Sequence, residues 1–186
     1  MTELLKAIEN FIPFNEQEQG DKELILKYAR ENPDCLLRTN PLLHFTASAW
    51  ITDKSNRNVL FVYHKIYDSW SWVGGHADGE SDLKAVALRE AEEETGIKTG
   101  EILSDDILSL EILTVEAHRK KGKYIAPHLH LNLTYHVIAD INEELVLNTD
   151  ETKGVKWFSL EAALNASTEK NMIEKVYKKL IAKTGN

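Results

Sequence analysis

The spacing of apolar residues divides the 186-residue chain into a helical beginning, a strand-rich middle and a helical end. Apolar residues recur at helical spacing in two segments within residues 2–34, and Gly20-Asp21 marks the break between them or the start of the second. Two β-rich runs follow at residues 44–51 and 59–66, and the polar stretch between them predicts a hairpin.

The rest of the chain alternates between strands and helices around one Glu-rich helix. That helix is predicted over residues 82–95, with Ser81 as its N-cap and Gly96 at its C-terminus. The other predicted elements are strands at 70–73, 107–117, 124–139 and 155–158 and helices at 159–165 and 168–183. This order favours an α+β fold, an α/β/α sandwich in which helices cover both faces of a mixed sheet.

Length and composition favour one globular domain with a short extension. Apolar residues make up 42% of the chain and charged residues 28%, which excludes a disordered or fibrous protein. We divide the chain into an N-terminal helical extension, residues 1–40, and a domain over residues 41–186 that includes the C-terminal helices. A transmembrane run and a secretory signal are missing from the sequence, and its single cysteine, Cys35, fits a reducing compartment. We therefore expect a cytoplasmic protein that makes no membrane contact.

Negative charge is concentrated in one segment of the chain. The net charge is −8, and residues 75–96 hold seven acidic residues against two basic ones. An acidic protein is a poor candidate for binding a nucleic-acid polymer. A local cluster of carboxylates is instead what divalent metal ions require.

Three glutamates of the predicted Glu-rich helix lie on one of its faces. Glu90, Glu93 and Glu94 fall within roughly 100° of arc and continue the apolar stripe of the same helix. One interpretation is a solvated acidic face, the usual fate of a Glu-rich helix. The glycine pair Gly74-Gly75, placed just after a strand, favours the alternative, because it lets backbone approach a ligand closely. A site for Mg²⁺ or Mn²⁺ is the prediction.

The spacing of these residues resembles the signature of the Nudix hydrolases, the Nudix box, over residues 75–97. In that signature a Gly is followed after five residues by a Glu, and after seven more by Arg-Glu-aliphatic-any-Glu-Glu-any-Gly-aliphatic. The second half is present as Arg-Glu-Ala-Glu-Glu-Glu-Thr-Gly-Ile at residues 89–97. Ser81 stands where the first Glu belongs, and Glu80 lies one residue earlier. The resemblance covers about residues 42–166.

The resemblance implies a Nudix-like fold and a metal-dependent hydrolase. The expected reaction splits the diphosphate linkage of a nucleoside diphosphate joined to another moiety, by attack of water on phosphorus, with Mg²⁺ or Mn²⁺ as cofactor. By position it assigns Glu93 and Glu94 as principal metal ligands, Glu90 as ligand or general base, Arg89 as the residue that holds a carboxylate, and a carbonyl of Gly74 or Gly75 as backbone ligand.

A further acidic metal ligand is expected outside the helix. Glu151 lies six residues before Trp157 and matches the family's habit of an acidic residue ahead of a Val-x-Trp-Phe strand. A plain loop carboxylate is the alternative, and Asp150, Glu143 and Glu144 are neighbours that offer the same group.

Polar residues that alternate along one predicted strand are candidates for substrate binding. One face carries His128, His130, Asn132, Thr134 and His136, which indicates either a solvated sheet face or the lining of a cleft. His130 and Asn132 are then candidates to hydrogen-bond a base, sugar or phosphate. His76, directly after Gly75, is a candidate to contact phosphate, and His64 is an alternative to it. Cys/His pairs at zinc-ligand spacing do not occur in the sequence, which argues against a zinc site.

Aromatic residues before the glycine pair are candidates for stacking on a nucleobase. Tyr63, Trp70 and Trp72 lie in this segment, and base stacking is worth about 1–3 kcal/mol. Burial in the core is the alternative for all three.

Two other functions remain open at this point. A sensor that binds nucleotide derivatives without catalysis would have the same fold. Isomerisation of an isoprenoid diphosphate, which some relatives perform, uses a pocket cysteine, whereas Cys35 lies in the extension. We expect a small nucleotide-type diphosphate as the partner, and a homodimer is a candidate assembly. A lid and a dimer contact are both candidate roles for the extension.

Overall fold

The computed structural model describes residues 1–120, 122–150 and 152–185. Its helices are α1 (Thr2–Asn10), α2 (Glu16–Glu31), α3 (Leu83–Thr95), α4 (Leu160–Ala166), α5 (Lys170–Met172) and α6 (Lys178–Thr184), with a π-helical segment at Ile173–Tyr177. Its strands are β1 (Leu43–Thr52), β2 (Asn58–His64), β3 (Ser69–Ser71), β4 (Val73–His76), β5 (Glu101–Ile102), β6 (Ser109–Val115), β7 (His118–Lys120), β8 (Lys123–Ile125), β9 (His128–Ile138) and β10 (Thr152–Ser159). Among the described residues, no helix is both long and apolar enough to cross a membrane.

Within the described residues, the strands form one eight-stranded mixed sheet and a separate hairpin of β7 and β8. The sheet runs in the order β10-β2-β1-β9-β5, while β3 pairs with β2, β4 with β1 and β6 with β9. β1 and β9 are parallel neighbours, and the other pairs are antiparallel. The centre of the sheet therefore places β4, β1 and β9 side by side.

Side chains on the two faces of the sheet enter two separate hydrophobic cores. Along β2, Val59 and Phe61 join the core formed with α4, the π-helical segment and α6, whereas Leu60 and Val62 join the core formed with α1, α2 and α3. This alternation is the period of two expected for a strand that is covered on both faces. The predicted α+β sandwich with a mixed sheet is confirmed.

Two predicted element boundaries are wrong, each because a nearby polar side chain caps a helix. The break between the first two helices lies before Asn15, whose side chain accepts a hydrogen bond from the Glu18 amide, and Gly20 lies inside α2. The N-cap of α3 is Asp82 rather than Ser81, because the Asp82 carboxylate accepts from the Ala85 amide at 3.2 Å. At the other end of α3, Gly96 adopts the left-handed conformation (φ 76°), as its predicted C-terminal position requires.

The N-terminal extension is attached to the domain by a buried cluster of four charges. Glu18 of α2 contacts Lys179 at 3.1 Å and Lys183 at 2.7 Å, both on α6. Lys179 also contacts Glu111 of β6 at 2.8 Å. Burial by itself raises the pKa of Glu18, but hydrogen bonds from Lys183, the Phe14 amide and Ser109 outweigh it and hold that pKa below its ordinary value. We call these residues the Glu18–Lys183 cluster.

Candidate active site

Helix α3 directs the three predicted glutamates toward one large cleft. The apolar stripe of the helix, which includes Leu83 and Val86, is buried against the sheet, and this fixes the orientation of the next turns. The side chains of Glu90 and Glu93 are 16% and 56% exposed, and Glu94 is buried. All three glutamates line a cleft of about 1560 Å³. Three carboxylates of graded exposure thus share one cavity wall.

Arg89 holds two of these carboxylates. Its Nη2 lies 3.3 Å from Glu90 Oε1, and its Nε lies 3.7 Å from Glu93 Oε1. An arginine between two carboxylates offsets their mutual repulsion and orients both.

The glycine pair lies in β4, opposite β1, and Gly75 faces the Glu90 carboxyl group. A Cβ atom added at Gly75 would lie 2.2 Å from Glu90 Cδ, and one at Gly74 would lie 2.6 Å from Ser48 Oγ. Any larger residue at position 75 would therefore displace Glu90. Because the two glycines have no side chains, the β4 backbone can lie next to the α3 carboxylates.

Residues ahead of α3 shape the loop that leads into the helix. Glu80, one residue before the position of the family's first Glu, accepts a hydrogen bond from the Asp82 amide at 2.8 Å and so supports the start of the helix. Arg38 of the extension forms a hydrogen-bonded ion pair with Asp78. The hydrogen bond from Arg38 is the main reason that the pKa of the Asp78 carboxyl is lowered. Arg38 and Asp78 both line the cleft.

The structure brings the predicted His76 and His130 together and adds two histidines beside them. His44 of β1 has its ring centroid 5.1 Å from that of His76 and 5.0 Å from those of His128 and His130. Burial first, and then the neighbouring histidines, lower the pKa of His130 to about 2. His130 is therefore neutral at pH 7, and it does not attract phosphate through charge.

Asn132 lies at the floor of the cleft, where the protein uses all of its hydrogen-bonding capacity. Its Oδ1 accepts from Thr46 and Ser48, each at 2.9 Å, and its Nδ2 donates to Thr134 at 3.2 Å and to Glu111 at 3.4 Å. These bonds tie β9 to β1 and β6. They favour a positioning role over the predicted hydrogen bond to substrate.

Two of the three predicted stacking residues lie away from the cleft. Tyr63 and Trp70 are cross-strand partners on β2 and β3, with ring centroids 5.4 Å apart, and Trp70 packs edge-on against Phe158 at 4.9 Å. The expectation that these two rings meet a nucleobase is therefore not supported by their placement. Trp72, from the same segment, does line the cleft, as does Tyr67.

The expected ligand from the loop before β10 falls on Glu151, which lies outside the described residues. Its neighbour Asp150 lines the cleft. Glu143, another candidate, instead accepts hydrogen bonds from the amides of Lys98 and Thr99 and so closes the loop after α3. Cys35 is buried in the extension, and burial raises the pKa of its thiol to about 11. That placement argues against a role as a pocket thiol.

The donor set around the glycine pair fits a hard divalent cation. Three carboxylates on consecutive turns of α3 provide the oxygen atoms that Mg²⁺ and Mn²⁺ prefer, and the close contact at Gly75 leaves the β4 backbone beside them. A mixed sheet sandwiched between helices, with such a helix beside a glycine strand, defines a hydrolase of the Nudix type.

Comparison with known proteins gives the same class. A family model described as the NUDIX domain matches residues 42–181. The asymmetrical bis(5'-nucleosyl)-tetraphosphatase of Mus musculus is 31% identical over 128 residues, which are 66% of this chain and 79% of the mouse protein. The chain belongs to the Nudix family and is a pyrophosphohydrolase, a conclusion that favours the predicted enzyme over a sensor. Hydrolases of this family generally use divalent metal ions.

Solved structures support the fold. A NUDIX-family hydrolase from Clostridium perfringens is 25% identical with a TM-score of 0.51, covering 74% of this chain and 95% of that one. A C. elegans Ap4A hydrolase, solved as a binary complex, is 22% identical with a TM-score of 0.53, covering 75% of this chain and 93% of that one.

Proposed function

We propose that this protein hydrolyses, with Mg²⁺ or Mn²⁺, the diphosphate linkage of a nucleoside diphosphate joined to another moiety, by attack of water on phosphorus. The observation that carries this proposal is the group of three α3 carboxylates that line one cleft beside the β4 glycine pair.

Each group in this part of the cleft has a distinct role. Glu93 and Glu94 would hold the metal, together with a backbone carbonyl of the glycine pair, and Arg89 orients Glu90 and Glu93. A cation held there would supply charge neutralisation for phosphate oxygens and a lowered pKa for a bound water. Glu90 lies between Arg89 and Gly75, and it would either hold the cation or accept the proton of the attacking water at a carboxylate oxygen.

Dinucleoside polyphosphates are the first substrate class that we propose to test. The mouse relative carries the name of an enzyme for a bis(5'-nucleosyl) tetraphosphate. At about 1560 Å³ the cleft exceeds the roughly 300–1000 Å³ of most small-molecule sites, which suits a substrate with two nucleosides. Trp72 and Tyr67 line it and offer aromatic surface for a base.

The decisive experiment compares matched glutamates of one helix. Glu93→Gln and Glu94→Gln remove a carboxylate without changing side-chain size, and we expect turnover of a dinucleoside tetraphosphate to fall by about 10²-fold or more. Glu92→Gln is the control, because Glu92 is exposed and lies outside the cleft lining. Chromatography of the nucleotide products, with and without EDTA and added Mg²⁺ or Mn²⁺, measures the effect. Unchanged turnover in both cleft variants, or full activity in EDTA, would contradict the proposal.

The division at residue 40 and the homodimer remain predictions. The family match begins at residue 42, and the extension is held by the Glu18–Lys183 cluster. Light scattering after size-exclusion chromatography measures the oligomeric state directly.

A further inference from the structure

Three histidines from three neighbouring strands meet in the cleft, on the opposite side of β4 from the carboxylates. His44 of β1, His76 of β4 and His130 of β9 each offer one ring nitrogen, and these nitrogens all lie within 4.8 Å of one another. His76 follows Gly75 in β4, and successive side chains of a strand point to opposite faces. The His76 side chain therefore lies on the face of β4 opposite to the one that meets Glu90. The histidine group is thus separate from the α3 carboxylates.

His44 presents a buried nitrogen to this group. Its residue surface is 4% exposed, and its Nδ1 lies 3.1 Å from the Asn40 carbonyl, which fixes Nδ1 as the protonated nitrogen. Its Nε2 is buried and has no hydrogen-bond partner among the described residues. An unsatisfied buried acceptor is destabilising, so a site that persists with one is suited to a ligand. An imidazole whose Nδ1–H is held by a backbone carbonyl has the arrangement typical of a metal-binding histidine.

His128 imposes a matching tautomer on His130. His128 Nδ1 lies 2.9 Å from the Ala126 carbonyl and donates to it, which leaves Nε2 as an acceptor. That Nε2 lies 3.2 Å from His130 Nε2, which must therefore carry the proton. The nitrogen of His130 that carries a lone pair is then Nδ1. In this pattern of hydrogen bonds, His44 and His130 each keep one ring nitrogen as an acceptor, and an acceptor nitrogen is the one that binds a metal.

We propose that His44, His76 and His130 form a second metal site, suited to a borderline transition-metal ion, Zn²⁺. The spacing of residues along the sequence argues against such a site, because the three histidines come from separate strands and meet only through strand pairing. Three imidazole nitrogens suit Zn²⁺ rather than Mg²⁺, which prefers oxygen. In a tetrahedral site, Zn–N bonds of about 2.1 Å place the ligand nitrogens about 3.4 Å apart. The three nitrogens lie within 4.8 Å of one another, so each pair needs to move closer by little more than about 1 Å. His76 and His130 line the cleft, so the remaining tetrahedral position is open to an anionic oxygen from it.

Titration of the full-length apo-protein with Zn²⁺ and, for its visible spectrum, with Co²⁺ tests the site. Excess Mg²⁺ is present throughout the titration, so that it competes with Zn²⁺ for the α3 carboxylates. We expect one Zn²⁺ per chain and a tetrahedral Co²⁺ spectrum. His76→Gln and His130→Gln should each weaken Zn²⁺ binding by more than about 100-fold. His128→Gln keeps all three ligands but removes the hydrogen-bond partner of His130 and a ring that packs on His44, and it should weaken binding by about 10- to 100-fold.

Two matched controls separate this site from other histidines and from the proposed hydrolase. His118→Gln changes a histidine that lines the same cleft but bonds to the Glu116 carbonyl, and it should bind Zn²⁺ like the wild type. Glu93→Gln should lose hydrolysis yet keep the Zn²⁺ stoichiometry and the Co²⁺ spectrum. Circular dichroism of each apo-variant establishes that it is folded.

Three results would overturn the proposal. They are equal Zn²⁺ affinity in folded His76→Gln and His130→Gln, loss of the Zn²⁺ site in Glu93→Gln, or an equal loss of affinity in His118→Gln. None of them bears on whether the α3 carboxylates support hydrolysis with Mg²⁺, so the two proposals fail independently.

Discussion

Two groups of glutamates in this protein show how the surroundings of a carboxylate decide its use. In the Glu18–Lys183 cluster, Glu18 and Glu111 are each less than 4% exposed, and two lysines lie within 3.1 Å of them. On α3, Arg89 contacts Glu90 and Glu93, whose carboxylates open onto the cleft. In the first, closed group two carboxylates are buried with two lysines that neutralise them, whereas the second, open group faces a cavity large enough for a substrate.

A cluster of acidic residues therefore becomes a candidate site when it faces a cavity, not because it is acidic. A buried carboxylate with a matched lysine gains little from any further cation. The α3 carboxylates also have a basic partner, Arg89, but they line a cleft through which a cation from solvent can reach them. Variants of each group should therefore fail in different ways.

The largest effect is expected from breaking the closed group. Lys179→Met leaves Glu111 and Glu18 buried with one lysine instead of two, and we expect the free energy of unfolding to fall by about 3–5 kcal/mol. Lys178→Met is the matched control. Its ion pair with Glu174 is more than half exposed on the lysine side, so the change should stay within about 0.5 kcal/mol. Urea unfolding measures both, and a loss below 1 kcal/mol in Lys179→Met would show that the cluster is not structural.

The next effect tests the geometry of the open group. In Gly75→Ala the new methyl group overlaps the Glu90 carboxyl, which must move, and we expect turnover to fall by about 10- to 100-fold while the protein stays folded. Gly20→Ala is the control, because nothing lies within 4 Å of a Cβ there. This change inside α2 should stabilise the protein by about 0.5–1 kcal/mol and leave turnover unchanged. Full activity in Gly75→Ala would mean that the position of Glu90 does not matter.

The smallest effect is expected at His136, a buried titratable group that is kept neutral. Burial lowers the pKa of His136, which bonds to Thr52 at 2.8 Å, to about 4. The unfolded chain, with a histidine pKa of about 6.5, binds the proton first, so stability should fall as the pH drops from about 6.5 to 4. Between pH 7 and pH 5 the loss from this residue is about 1–2 kcal/mol. Urea unfolding at pH 7 and pH 5 measures the loss in the free energy of unfolding, which should be about 1–2 kcal/mol smaller in His136→Gln than in the wild type. An identical pH dependence in the two proteins would contradict the assignment.

Much of the fold and the carboxylate part of the site could be predicted because their signals are local. The stripe of α3, its glutamates at spacings of three and four and the helix end at Gly96 all depend on residues within a few turns. Tyr63 and Trp70 mark the limit of such reasoning. Aromatic residues near a glycine pair have no sequence signal that distinguishes a cleft from a packed sheet edge.

The helical periodicity, the alternation along β9 and the cluster of acids on one helix face can be read from the chain alone, since each is a property of consecutive residues. Which side chains from distant segments meet depends on how the folded chain packs. The Glu18–Lys183 cluster joins residues more than 160 positions apart, and His44, His76 and His130 converge because β1 pairs with both β4 and β9. Register between strands is set by the packing of the whole sheet, so local spacing carries no record of it.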